Sequence, residues 1–205
     1  MSIAHDVLAR SNASDSVKYI MTTNTALPDP SKVFMQSFTY GGTASPPGSV
    51  SHALSSDRTS LTLLFDALNV SMGPGIPSTE NRKNSQLNIG MAYPVGWKYS
   101  IARLVFRGYV SASAGLTAEH KGIYYFQGDT KQASASASIV GPVAQDYLFS
   151  APIPDANLVW APCGTVVPVN LNLQARLMGT GTGKLTGDSI DGKFAVILSL
   201  IWKPC

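Results

Sequence analysis

From about Val33 onward, short runs of alternating or wholly apolar residues recur between clusters of Gly, Pro, Ser and Asn. That rhythm predicts strands. The runs are VFMQSFTY (33–40), SLTLLFDALNV (60–70), SQLNIGMAY (85–93) and ARLVFRGYVSASA (102–114), followed by GIYYFQG (122–128), QASASASIVG (132–141), VNLNLQARLMG (169–179) and KFAVILSLIW (193–202). No stretch between them carries a helical period long enough to interrupt the pattern. The expected fold is all-β: one two-sheet antiparallel β-sandwich, jelly-roll-like, over residues 31–205.

Alternation is cleanest in VNLNLQARL. Val169, Leu171, Leu173, Ala175 and Leu177 share one face, while Asn170, Asn172, Gln174 and Arg176 share the other, so this strand has one wet side. KFAVILSLIW is apolar on both faces, as expected of a central strand covered on both sides or lying at an interface, which leaves room for a homo-oligomer. ASASAS (133–138) alternates tiny residues with serines and permits close approach of a neighbouring backbone or a flat surface. Residues 1–30 are polar, with Ile3, Val7 and Leu8 suggesting a single amphipathic turn. They are expected to form an N-terminal arm, poorly structured or packed on the surface.

Composition narrows the function classes. A chain of 205 residues fits one medium domain. Charged residues are 13% and the net charge is +3, with Lys and Arg spread along the chain, so no basic stripe for nucleic acid is expected. The apolar run Phe194–Trp202, broken by Ser199, is about half of what a membrane-spanning helix requires, so no membrane span is expected. The N-terminus, MSIAHDVLARSNASDSVKYIM, shows no basic segment followed by an apolar stretch, so no secretory signal is expected in this numbering. Two cysteines, Cys163 and Cys205, fix neither compartment nor redox state.

The motifs read mostly as structure. GTGTGK (179–184) has Met178 where a phosphate loop needs glycine and Leu185 where it needs Ser or Thr, so a flexible hairpin loop is expected. DSIDGK (188–193) offers too few oxygens for calcium and reads as a turn whose aspartates cap backbone N–H groups. His5, His52 and His120 lie in polar settings without metal-ligand spacing, so no metal site is expected. No GxSxG elbow exists, no catalytic residues are assigned, and the chain is expected not to be an enzyme. Asn12-Ala-Ser and Asn69-Val-Ser are glycosylation acceptors.

Aromatic residues carry the remaining chemistry. Trp97, Trp160 and Trp202, with Tyr93, Tyr99, Tyr124, Tyr125 and Phe126, suit a pocket for a flat apolar ligand or platforms for a sugar ring, and core packing accounts for most of them equally well. Trp97-Lys98 and Trp202-Lys203 each join a ring to an amine. An aldehyde ligand would condense there if its lysine were desolvated. The candidate ligand site is therefore Trp97, Lys98, Trp160, Trp202 and Lys203.

TYGGTASPPGSVS (39–51), SLTLLFDAL (60–68), ENRKNSQLNI (80–89), YPVGWKYSIARLVFRGY (93–109), GIYYFQG, LVWAPCG (158–164), VNLNLQARL and the stretch from DSIDGK to the terminal WKPC together resemble one family. It is the set of small, mostly fungal, secreted proteins grouped as domain of unknown function 4360. The family name carries no activity, but the resemblance implies secretion. Members usually have four cysteines; the first two positions here read Ser45 and Ser85, and the resemblance implies that Cys163 and Cys205 pair. A weaker resemblance is to a coloured mushroom protein of the pink oyster that holds an apolar pigment. The expected function is a non-enzymatic protein binding a small apolar molecule, an organic chromophore or pigment. The alternative is a secreted or surface protein that binds a glycan or interacts with a host.

Overall fold

A computed structural model describes residues 27–163 and 165–205. The expected arm lies outside the described residues except for Leu27–Pro30, as do His5 and Asn12. Among the described residues the chain forms twelve strands. They are β1 (Phe34–Gly41), β2 (Val50–Leu54), β3 (Ser60–Phe65), β4 (Val70–Met72), β5 (Arg82–Ala92) and β6 (Trp97–Ala112). Then follow β7 (Leu116–Phe126), β8 (Ala133–Val140), β9 (Val143–Pro152), β10 (Val169–Gly179), β11 (Gly183–Thr186) and β12 (Phe194–Pro204).

All pairings are antiparallel, and two sheets result. The five-stranded sheet runs β1-β5-β10-β7-β8; the seven-stranded sheet runs β2-β3-β12-β6-β11-β4, with β9 on the other side of β6. The fold is the all-β two-sheet antiparallel sandwich that the alternation predicts. The chain crosses repeatedly between sheets, as at β6 to β7 and β8 to β9.

Period-two patterning fixes which side chains meet. Val169, Leu171, Leu173, Ala175 and Leu177 of β10 are all buried, and they face Leu63, Phe65, Leu104, Phe106, Val196 and Leu198 of the other sheet in a single core. Between the sheets, Gly122 has no Cβ where Leu104 enters, so any larger residue there would collide with the leucine. β12 lies between β3 and β6, the central position its apolar character predicts. Its inward Phe194, Val196, Leu198 and Trp202 are buried, whereas Ile197 and Ile201 are half-buried on the outward side.

Two expectations change. The GTGTGK loop is no hairpin within one sheet: it carries the chain from β10 to β11 in the other sheet, with Gly179 and Gly181 at φ +105° and +136°. His120 is not in a polar setting. Its strand begins at Leu116, and alternation from there turns His120 inward, where it is 2% exposed.

Candidate functional site

Two adjacent inner strands of the smaller sheet, β5 and β10, turn a row of carboxamides outward. Asn84, Gln86 and Asn88 of β5 lie directly opposite Gln174, Asn172 and Asn170 of β10. On the far side of β10, Tyr125, Ile123 and Lys121 of β7 stand opposite the same three residues. Ser134, Ser136 and Ser138 of the edge strand β8 continue the surface, exposed. The ASASAS run thus supplies small polar residues outward and small apolar residues inward.

Hydrogen bonds hold the carboxamides in place. Asn88 Nδ2 donates to Asn170 Oδ1 (3.0 Å), Asn172 Nδ2 to Gln86 Oε1 (2.9 Å), and Gln174 Nε2 to Asn172 Oδ1 (3.1 Å). An Arg82 guanidinium nitrogen donates to Gln174 Oε1 at 3.2 Å. One row further, Arg176 binds Glu119 Oε1 through Nε (2.9 Å) and a terminal nitrogen (2.7 Å). Each carboxamide offers two N–H groups and two lone pairs, and the ladder occupies only part of that capacity. Sheet geometry spaces these groups about 4.8 Å between strands and about 6.7 Å along each strand. The result is a flat, fixed array of donors and acceptors facing solvent.

The residues singled out for a ligand site divide. Trp202 is 1% exposed, its indole N–H donates to the Arg58 carbonyl (2.8 Å), and its ring packs against Tyr99 and Tyr93 with centroids 5.3 and 5.9 Å away. Tyr99 in turn meets Phe126 at 5.2 Å. These rings fill one another's space and belong to the core. Trp97 is half-buried against the same core. Lys98 and Lys203, opposite each other on β6 and β12, converge instead on Trp160, with ammonium-to-ring distances of 5.9 and 4.4 Å. Lys203 is exposed, which withholds the desolvation that imine formation on it would require.

Cys163 and Cys205 are bonded. The bond ties the end of β12 to the loop carrying Trp160. The serines at the other two cysteine positions are also neighbours: Ser85 Oγ donates to Ser45 Oγ at 2.7 Å, both side chains buried. Asn69 is exposed in the turn between β3 and β4.

Other charged groups are committed within the fold. Asp188 Oδ1 accepts the N–H groups of Ile190 and Asp191, while Asp188 Oδ2 lies 3.0 Å from Arg107 Nε. Arg107 also reaches Asp191 at 2.7 Å. This is the capped turn expected of DSIDGK. His120 stacks between Phe106 and Phe194, with centroids at 5.1 and 5.0 Å, and its Nε2 meets the Tyr147 hydroxyl at 2.5 Å. Burial among these rings lowers its pKa to about 3, so the imidazole is neutral. Burial likewise raises the Tyr147 and Tyr99 hydroxyls above their usual value. Among the described residues no helix is long and apolar enough to cross a membrane.

The carboxamide face was only half visible in the sequence. The wet side of β10 was plain, but its partner residues sit some eighty positions earlier in β5, and only the register brings them together.

A family described as Domain of unknown function (DUF4360) matches residues 31–205. The chain belongs to that family. A relative from Arthroderma benhamiae described as "Uncharacterized secreted protein" is 43% identical over 181 residues, covering 87% of this chain and 74% of its own length. Among solved structures, TmCBM61 in complex with β-1,4-galactotriose is similar with 9% identity and a TM-score of 0.26, over 82% of this chain and 88% of that one. A second, from work on carbohydrate-binding modules of the β-sandwich superfamily, has 12% identity and a TM-score of 0.30, over 81% of this chain and 56% of that one. Likeness at those scores carries no weight for ligand or site. None of these proteins is described as holding a pigment.

Proposed function

We propose that this chain is a secreted, non-catalytic protein that binds carbohydrate across the outward face of its five-stranded sheet. The observation that carries this reading is the set of carboxamides on β5 and β10, three facing three. Five of them are hydrogen-bonded to one another as an Asn88–Asn170 pair and a Gln86–Asn172–Gln174 chain, while Asn84 Oδ1 accepts from the Thr43 hydroxyl. Asparagine is a poor strand former. Its concentration at the outward positions of two adjacent inner strands is not what folding favours. Carboxamides suit vicinal hydroxyls because each donates and accepts in one plane. The ladder fixes their rotamers beforehand, so little side-chain entropy remains to be lost on binding. Tyr125, beside Asn170, adds an aromatic ring at the margin of the array.

Secretion is supported by the description of the 43% identical relative and by the Cys163–Cys205 bond, which persists in oxidising compartments. The pigment reading loses support because Tyr93, Tyr99, Phe126 and Trp202 pack on one another rather than around a space.

The test is a glycan array probed with the full chain. Retention on hydroxyl-rich glycans, lost in Asn172→Ala/Gln174→Ala, is the expected result. A chain that binds no glycan but shows a visible absorption band when purified from its source would overturn the proposal in favour of a pigment carrier.

A further inference from the structure

The larger sheet carries a second cluster, independent of the carboxamide face. Lys98 and Lys203 stand directly opposite each other across β6 and β12. Like charges so placed are destabilising in a sheet, and no carboxylate of the described residues forms an ion pair with either. Trp160 lies against both ammonium groups, 4.4 Å from Lys203 and 5.9 Å from Lys98. The ring offsets part of the repulsion through cation–π attraction but leaves the two positive charges uncompensated.

The cluster is also held rigidly. Ala161 N–H donates to the Tyr99 carbonyl at 2.8 Å, fixing the Trp160 loop along β6. Cys205 N–H donates to the Gly96 carbonyl at 2.8 Å, and the Cys163–Cys205 bond ties the same loop to the end of β12. Three separate segments are thereby anchored around two adjacent cations, with Lys203 exposed.

We infer that Lys98 and Lys203 form a binding site for an oxyanion, a carboxylate or sulfate group that bridges the two ammonium groups beside Trp160. Charge-assisted hydrogen bonds from both lysines to one anion relieve the repulsion that the sheet register imposes. Trp160 borders the site and reports on its occupancy. Free sulfate and a uronic-acid oligosaccharide present the same chemistry, and the experiment separates them.

Calorimetry and tryptophan fluorescence of the full chain, titrated with sodium sulfate and with trigalacturonate at an ionic strength fixed by sodium chloride, provide the test. A saturable response is expected with at least one probe. A response to both marks a general oxyanion site, and a response to trigalacturonate alone marks a sugar-acid site. Lys98→Gln/Lys203→Gln is expected to weaken binding roughly tenfold or more with the disulfide intact, Lys203→Arg to retain it, and Trp160→Phe to abolish the emission change while keeping the heat. A response no larger than that of added chloride, or equal in the double glutamine variant, overturns the inference. Neither outcome depends on whether the carboxamide face binds glycans.

Discussion

The outward faces of the two sheets differ although their inward faces follow the same rule. On the larger sheet, Thr62, Ile197 and Val105 form one cross-strand row, and Leu64 and Ala195 belong to the next. Leu148 on the edge strand is 66% exposed. Thr62, Ile197 and Val105 match strand propensity, and the row of Leu64 and Ala195 ends on Arg107, which is paired with Asp188 and Asp191. On the smaller sheet the corresponding central positions are Asn84, Gln86, Asn88, Asn170, Asn172 and Gln174. Both inner faces are filled by what the core requires, so the contrast lies on the outward faces. The middle of the smaller sheet's outer face thus carries side chains that strand stability alone would not favour.

The largest expected effect concerns the disulfide clamp at the end of β12. Cys205→Ser opens a bond spanning a sequence separation of 42, which costs about 4 kcal/mol in the chain-entropy model. Denaturant unfolding should show that loss, while glycan affinity of the folded fraction stays unchanged.

Next comes pH. His120 has a folded-state pKa of about 3, below the unfolded value of about 6.5. The unfolded chain therefore binds a proton first as pH falls. Stability is complete above about pH 6.5 and declines toward pH 3, by roughly 2 kcal/mol at pH 5. Urea titrations should show the slope between about pH 6.5 and about 4.5 in the native chain and lose it in His120→Phe. Only the decline at lower pH should then remain, where Asp57 and Asp191, whose pKa values are lowered in the fold, take up protons. Carboxamides do not titrate, so binding should not follow the same curve.

A smaller effect separates the faces directly. Asn172→Val/Gln174→Val should change stability by less than about 1 kcal/mol yet weaken glycan binding roughly tenfold or more. The reciprocal Thr62→Asn/Ile197→Gln on the larger sheet should gain no binding. An array comparison of the two variants reads both. The smallest effect sits on the buried side of β5, behind the carboxamide face. Ser45→Ala leaves the buried Ser85 hydroxyl without its partner and should cost about 1 kcal/mol, whereas Ser45→Ala/Ser85→Ala should cost less than the two single changes added. Thermal melts of all three variants decide this.

Much of the scaffold was legible in the chain. VNLNLQARL declared its inward and outward residues, and KFAVILSLIW declared a central strand, because burial writes a period of two or erases it. β9 was not legible: among its residues only Tyr147 and Ala151 are buried, as happens on an edge strand with one neighbour. β2 and β11 are short, and their patterns dissolve into the adjoining turns. For the candidate site, local sequence held half of the information. Asn170, Asn172 and Gln174 are visible as a wet stripe, but nothing near them announces Gln86 or Asn88, since register between distant strands is a property of the whole fold. The aromatic residues show the opposite failure. Trp202 and Trp97 look equivalent, each followed by a lysine, yet the fold buries Trp202 and leaves Trp97 half-buried, while Trp160, far from any lysine in sequence, is the ring that Lys98 and Lys203 approach.

The central claim, that the carboxamide ladder is the glycan-binding surface, is tested most directly by NMR of the side-chain amide groups during titration with a glycan selected on the array. With a neutral glycan, saturable shifts of the Asn88, Asn170, Asn172 and Gln174 side-chain N–H signals are expected, with the outward face of the larger sheet unmoved. Shifts confined to the larger sheet, with those carboxamides unchanged, would contradict the claim.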